Sequence, residues 1–179
     1  MTKAASRWIF GYGSLMWDPG FPFVEREAAL LHGYHRAFCI YSHRYRGTSD
    51  KPGLVLGLQP GGSCRGIAYR IEEAQREAVF AYLHKREMDN KVYDQRLVPI
   101  RLTDGREVDA FAHITVRDHP QYTGRLSIEQ VAALICQGYG ERGACSDYLA
   151  NTVSHLDELG IKDGPMHELL RFVETRRGK

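Results

Sequence analysis

The order in which hydrophobic patterns follow one another constrains this chain most tightly. Residues 7–12 read as a strand, because the apolar run Trp8-Ile9-Phe10 stops at Gly11-Tyr12-Gly13. Residues 28–41 mix apolar and aromatic side chains and supply one or two further strands. Residues 54–59 and 64–71 predict two strands joined as a hairpin by Pro60-Gly61-Gly62-Ser63. A helix follows over 73–86, where Val79, Tyr82, Leu83 and Arg86 recur at helical spacing without Gly or Pro, and Glu87 falls at its C-terminal end. Residues 96–102 and 107–116 predict a second hairpin around Thr103-Asp104-Gly105-Arg106, with Val108, Ala110, Ala112, Ile114 and Val116 on one face. The remainder reads as helical. Ser127 and Gln130 form a capping box that opens a helix through Gln137. Ser146 stands where it can cap a helix running to Leu159 and stopped by Gly160. Asp163, with Pro165 just inside, opens a last helix. Strands, one helix, strands and then helices do not make the βαβ alternation of a doubly wound parallel sheet. The expected class is α+β, a small barrel-like mixed sheet with flanking helices.

With 179 residues, no internal repeat and no low-complexity linker, the chain is expected to form one domain, 1–179. Its 24 basic and 22 acidic residues leave a net charge of +2, too balanced for a nucleic-acid or anionic-membrane partner. The one basic run, Arg176-Arg177-Gly178-Lys179, reads as a solvated terminus. After Lys3 and Arg7 the apolar stretch is only Trp8-Ile9-Phe10, too short for the core of a signal peptide. No run approaches the roughly 20 apolar residues of a spanning helix, so no membrane association is expected and the compartment is expected to be cytoplasmic. Cys39, Cys64, Cys136 and Cys145 include no C-x-x-C pair and are expected to be reduced and mostly buried. No obligate protein partner is evident.

Four groups of residues could carry chemistry. Gly11-Tyr12-Gly13-Ser14-Leu15 follows the first strand directly, and its glycines let consecutive N–H groups converge on an oxyanion or carboxylate. An ordinary tight turn has the same local sequence. Glu87, at a helix C-terminus where the dipole disfavours a carboxylate, is a candidate general acid/base, although an exposed surface glutamate is the commoner case. The eight histidines show no recognisable metal spacing; His84 and Glu87 make two ligands at most, so no metal is expected. Ser14 lacks the closing glycine of G-x-S-x-G. Arg44, Arg46 and Lys51 crowd the polar stretch 42–53, either to grip a substrate carboxylate or simply as a solvated loop.

Together these blocks resemble the ChaC-type, glutathione-specific gamma-glutamylcyclotransferases. Trp8-Ile9-Phe10-Gly11-Tyr12-Gly13-Ser14-Leu15-Met16-Trp17 is similar to that family's opening strand and Y-G-S-L substrate loop. Gly33-Tyr34-His35-Arg36-Ala37-Phe38, Arg46-Gly47, Lys51-Pro52-Gly53-Leu54-Val55 and Gly66-Ile67-Ala68-Tyr69-Arg70 follow in the family's order. Leu83 through Arg86-Glu87-Met88, with Tyr93 beyond, resembles the block holding its catalytic glutamate. Ser146-Asp147-Tyr148-Leu149 resembles a late helix that supplies a tyrosine near the site. The chain departs from the pattern at His84, where many members have aspartate, and at Asn90-Lys91-Val92-Tyr93, where many have a glycine-rich segment.

The resemblance implies a gamma-glutamylcyclotransferase-like barrel spanning about 8–173. It implies cleavage of glutathione to 5-oxoproline and Cys-Gly by attack of the substrate's own α-amine, without cofactor or metal. Glu87 would be the acid/base, Tyr12, Gly13, Ser14 and Leu15 the substrate cradle, and Arg36 and Tyr148 further orienting contacts. Two alternatives stay open: a cyclotransferase for other gamma-glutamyl amides or gamma-glutamylamines, separable by testing several amides, and a catalytically inactive gamma-glutamyl-binding module, which would retain ligand without consuming it.

Overall fold

The computed structural model describes residues 6–87 and 91–178. Five strands close into a mixed barrel in the order β1-β3-β2-β4-β5. They are β1 (Trp8–Gly11), β2 (Glu25–Ser42), β3 (Gly53–Arg70), β4 (Tyr93–Leu102) and β5 (Glu107–Thr115). Two two-residue strands, β6 (Tyr139–Gly140) and β7 (Gly143–Ala144), pair separately. The α-helices are α1 (Arg76–Glu87), α2 (Ile128–Gln137), α3 (Cys145–Glu158) and α4 (Gly164–Arg177). A barrel accompanied by helices is the α+β class expected from the element order.

Two compact units divide the chain. One comprises the residues up to Arg36 together with Leu58–Val116; the other comprises Ala37–Gly57 and the residues from Arg117 onward. In the first, β1 runs antiparallel to β3, with Trp8 opposite Arg70 and Gly11 opposite Ile67. On its other side β1 runs parallel to β5, with Trp8 opposite Ala110 and Ile9 opposite Phe111. β4 and β5 form the expected antiparallel hairpin, from Tyr93 opposite Thr115 to Arg101 opposite Glu107. Period-two alternation carries Ala110, Ala112 and Ile114 into the core with Ile9, Phe10, Leu31, Leu58 and Leu102. Burial of each large aliphatic side chain contributes about 1.5–3 kcal/mol.

The hairpin expected over 54–71 does not form. Both segments belong to the single 18-residue strand β3, and residues 67–70 pair with β1 rather than with residues 54–59. Gly61 (φ 102°) and Gly62 (φ 69°) take up the left-handed conformations that a turn would have used, while the Gly61 carbonyl meets His35 Nδ1 at 2.9 Å. Residues 28–41 likewise lie in one strand, β2.

In the second unit α2, α3 and α4 pack on one another. The capping box of Ser127 and Gln130 is present, and Asp163 caps α4 by accepting from the Met166 N–H at 3.2 Å. Ser146 is not a cap. Helix α3 already starts at Cys145, with Ala144 in the cap position, and the buried Ser146 hydroxyl accepts from Arg177 Nη1 at 2.9 Å. Arg44 stays exposed, whereas Arg46 is half-buried and tied to backbone. Arg44 pairs with Glu141 at 3.1 Å, and Arg46 Nη1 donates to the carbonyls of Arg142 and Ala144 at 2.8 and 3.1 Å. Cys145 Sγ donates to the Leu54 carbonyl at 3.1 Å and accepts from the Leu54 N–H at 3.3 Å. Burial pushes this thiol up to about 11, so it stays protonated and unreactive. Among the described residues no helix is long and apolar enough to cross a membrane.

Candidate active site

The first strand ends at Gly11 because the chain folds back at once: a Cβ on Gly11 would lie 2.9 Å from the Leu15 Cβ. A single 3-10 turn, Ser14–Met16, follows, and its first bond runs from the Met16 N–H to the Gly13 carbonyl at 2.9 Å. The N–H groups of Ser14 and Leu15 precede that bond, at the end of the turn where backbone donors have no helical partner.

The loop's carbonyls are fixed by long side chains from elsewhere in the same unit. Arg36, only 3% exposed, donates from Nε to the Tyr12 carbonyl at 2.5 Å and from Nη2 to the Arg65 carbonyl at 2.5 Å, with Met16 Sδ at 3.6 Å. The Tyr69 hydroxyl lies 2.8 Å from the carbonyls of both Leu15 and Met16. Tyr12 donates its own hydroxyl to the His113 carbonyl at 2.8 Å. Buried charge-assisted bonds of this kind hold a loop to one geometry. In this arrangement Arg36 braces the loop that follows β1.

Glu87 is the last residue of α1, as its sequence position predicts. Its carboxylate is 22% exposed and lies 3.3 Å from Arg86 Nε. Burial raises its pKa above the usual carboxylate range, with the Arg86 charge acting in the opposite direction. A carboxyl group balanced in this way can hold a proton or accept one.

Arg86 joins the two parts. Its Nη2 donates to Ser14 Oγ at 2.9 Å, and its Nη1 donates to the Asp18 carbonyl and the Tyr82 hydroxyl, each at 2.8 Å. Ser14 therefore meets a cation rather than a base, which leaves its hydroxyl unactivated as a nucleophile. One guanidinium thus touches both the Ser14 hydroxyl and the candidate acid/base.

Tyr12, Gly13, Ser14, Leu15, Arg36 and Glu87 all fall in the first unit. Tyr148 belongs to the second, where its ring packs edge-on against Phe38 at 5.6 Å and lies under the Arg46 guanidinium at 5.2 Å. Met88 and Asn90, part of the glutamate block and its departure, lie outside the described residues. Two residues at this site were missed in the sequence. Arg86 was read only as a helix-face position, although an arginine in a last helical turn beside a candidate base invites the question of what it binds. His113 was weighed only for metal spacing; it shares alternate positions with Glu107 and Asp109, a face the pattern assigns to solvent, so the sequence carried no signal for its burial.

The family model for ChaC-like proteins matches residues 7–176. The chain is 39% identical to a glutathione-specific gamma-glutamylcyclotransferase of Escherichia coli (strain K12), over 93% of this chain and 72% of that protein. It is 36% identical to gamma-glutamylcyclotransferase 2-3 of Arabidopsis thaliana, over 93% of this chain and 87% of that protein. A crystal structure of a gamma-glutamylcyclotransferase specific to glutathione from yeast superposes with a TM-score of 0.85 at 23% identity, covering 94% of this chain and 95% of that one, which establishes the shared fold. Sequence blocks, barrel and family model converge over nearly the whole length: the chain belongs to the ChaC-like family.

Proposed function

We propose that this chain is a cytoplasmic, glutathione-specific gamma-glutamylcyclotransferase acting as one domain, with Glu87 as general acid/base and Tyr12, Gly13, Ser14 and Leu15 as the substrate cradle. The observation that carries the reading is the half-buried carboxyl of Glu87, raised in pKa and tied through Arg86 to Ser14 of the cradle.

The reaction needs little else. The substrate's α-amine is already tethered to its γ-carbonyl, so closing a five-membered ring has high effective molarity. Glu87 takes a proton from the α-ammonium, whose reference pKa is about 8. The amine nitrogen bonds to the γ-carbonyl carbon, the bond from that carbon to the cysteinyl nitrogen breaks, and the second proton of the new ring nitrogen ends on the released amine, which leaves as ammonium. The protonated Glu87 returns its proton to the departing nitrogen, leaving 5-oxoproline and Cys-Gly. The backbone donors of the cradle stabilise the oxygen that becomes negative in between. The balance closes without a cofactor, metal or protein partner.

The test is to incubate the protein with reduced glutathione and quantify both products by mass spectrometry, beside Glu87→Gln. Equal amounts of 5-oxoproline and Cys-Gly are expected, with the variant slower by about 10²–10⁴-fold while remaining folded. Undiminished turnover by folded Glu87→Gln would remove Glu87 from the mechanism. Turnover of other gamma-glutamyl amides alone would move the specificity, and ligand retention without any turnover would make the chain a binding module.

A further inference from the structure

His113 lies on β5 at the point where the cradle begins. β1 and β5 are parallel, with Trp8 opposite Ala110 and Ile9 opposite Phe111. β1 ends at Gly11, two residues beyond Ile9, and His113 stands two residues beyond Phe111 on β5. The bond from the Tyr12 hydroxyl to the His113 carbonyl fixes the juxtaposition.

The strand that carries His113 packs against α1, the helix that ends at Glu87. Phe111, two residues earlier on the same face of β5, packs edge-on against Phe80 of α1 with ring centroids 4.8 Å apart. Glu87 stands seven residues beyond Phe80, two turns along the same side of the helix. The charge of Arg86, the neighbour of Glu87, also acts on the His113 imidazole. His113 thus meets Tyr12 through its carbonyl and the ring of Tyr93 at 6.4 Å.

In this position the side chain is 3% exposed, and its Nε2 has no hydrogen-bond partner among the described residues. A buried polar nitrogen left unpaired costs stability unless something else completes it. Burial and the Arg86 charge hold the imidazole neutral, with a pKa lowered to about 4. A neutral ring offers one N–H donor and one lone pair, suited to the carboxylate or the amine of an α-amino acid.

We propose that His113 is a substrate-positioning residue whose Nε2 hydrogen-bonds the α-amino-acid head of the gamma-glutamyl substrate. The assignment rests on the cyclotransferase reading above and adds a contact to it. Substrate binding completes the nitrogen that no described residue pairs, and so holds the attacking amine against Glu87.

Two measurements test it. In steady-state kinetics with glutathione, His113→Phe keeps a ring against Tyr93 and removes both nitrogens. Its KM is expected to rise about tenfold with kcat changed less, and His113→Gln, which keeps a polar group, is expected to recover part of the loss. Wild-type KM and kcat in His113→Phe would overturn the proposal. The second measurement needs no altered histidine. Protein labelled with ¹⁵N-histidine and carrying Glu87→Gln is titrated with glutathione, and the Nε2 resonance of His113 is expected to shift on saturation. An unmoved resonance at saturating glutathione overturns the proposal even if His113→Phe fails to fold. Turnover by the wild type, measured alongside, keeps the two readings apart: turnover with a silent His113 sinks this inference alone, and absence of turnover sinks the cyclotransferase reading.

Discussion

The guanidinium of Arg86 donates to the carbonyls of Asp18 and Pro19 and to the hydroxyls of Tyr82 and Ser14, while its Nε faces Glu87. The same charge lowers the pKa of Glu87 and that of His113. Its removal therefore moves both groups upward. Because burial already raises Glu87, activity that needs the ionised carboxylate rises with pH through a point above the usual carboxylate value of 4.5. In Arg86→Met this acid limb is expected to move to higher pH and the plateau to fall, as Ser14 loses its partner. Arg86→Lys, which keeps the charge but not the fork, should restore the position of the limb better than the plateau. A kcat/KM profile against pH for the three proteins checks this; an unmoved limb in Arg86→Met would separate Arg86 from Glu87. Helical periodicity placed Glu87 at a helix terminus, and the resemblance of Arg86-Glu87-Met88 to a family block supplied the role proposed for it. Arg86 and His113 were not legible in the sequence, because what defines them is a partner far away in the chain: Ser14 lies 72 residues from Arg86, and Tyr12 lies 101 from His113.

Helix α1 holds its place against the cradle through a close approach. Gly20 has φ 73°, and a Cβ there would sit 2.1 Å from the Tyr82 hydroxyl. Gly20→Ala meets both a backbone penalty and a collision with the residue that supports Arg86. A loss of about 1–3 kcal/mol is expected by urea denaturation, with reduced turnover. Gly164→Ala, at the start of α4 where a Cβ meets open space, is the control and should be close to neutral or slightly stabilising. Elements whose signals are local were read correctly: the α2 capping box, the Asp163 cap and the β4–β5 hairpin. Those that failed depended on competition between partners. Pro60-Gly61-Gly62-Ser63 has the chemistry of a turn, but β1 offers residues 67–70 a better-placed ladder than their own neighbours do. Ser146 has the chemistry of a cap, but the Cys145 N–H already bonds the Gly138 carbonyl and the helix begins there.

The barrel as a whole is closed by its shortest strand. The four residues of β1 pair with β3 on one side and β5 on the other. Barrel closure removes the exposed edge that an open sheet would present to other chains. The partner on the β5 side is synthesised about a hundred residues after β1, and long-range parallel pairing of this kind is slow. While the chain emerges from the ribosome, Trp8-Ile9-Phe10 therefore waits without its β5 neighbour, and Tyr12 waits without the His113 carbonyl. Ribosome-bound chains halted at Gly105 are expected to be cut readily by protease near the N-terminus, whereas released full-length protein resists; equal resistance would mean that β1 is held by β3 alone. The cradle is thus among the first segments to be made and among the last to be set, and chaperone demand should fall on the interval between the two.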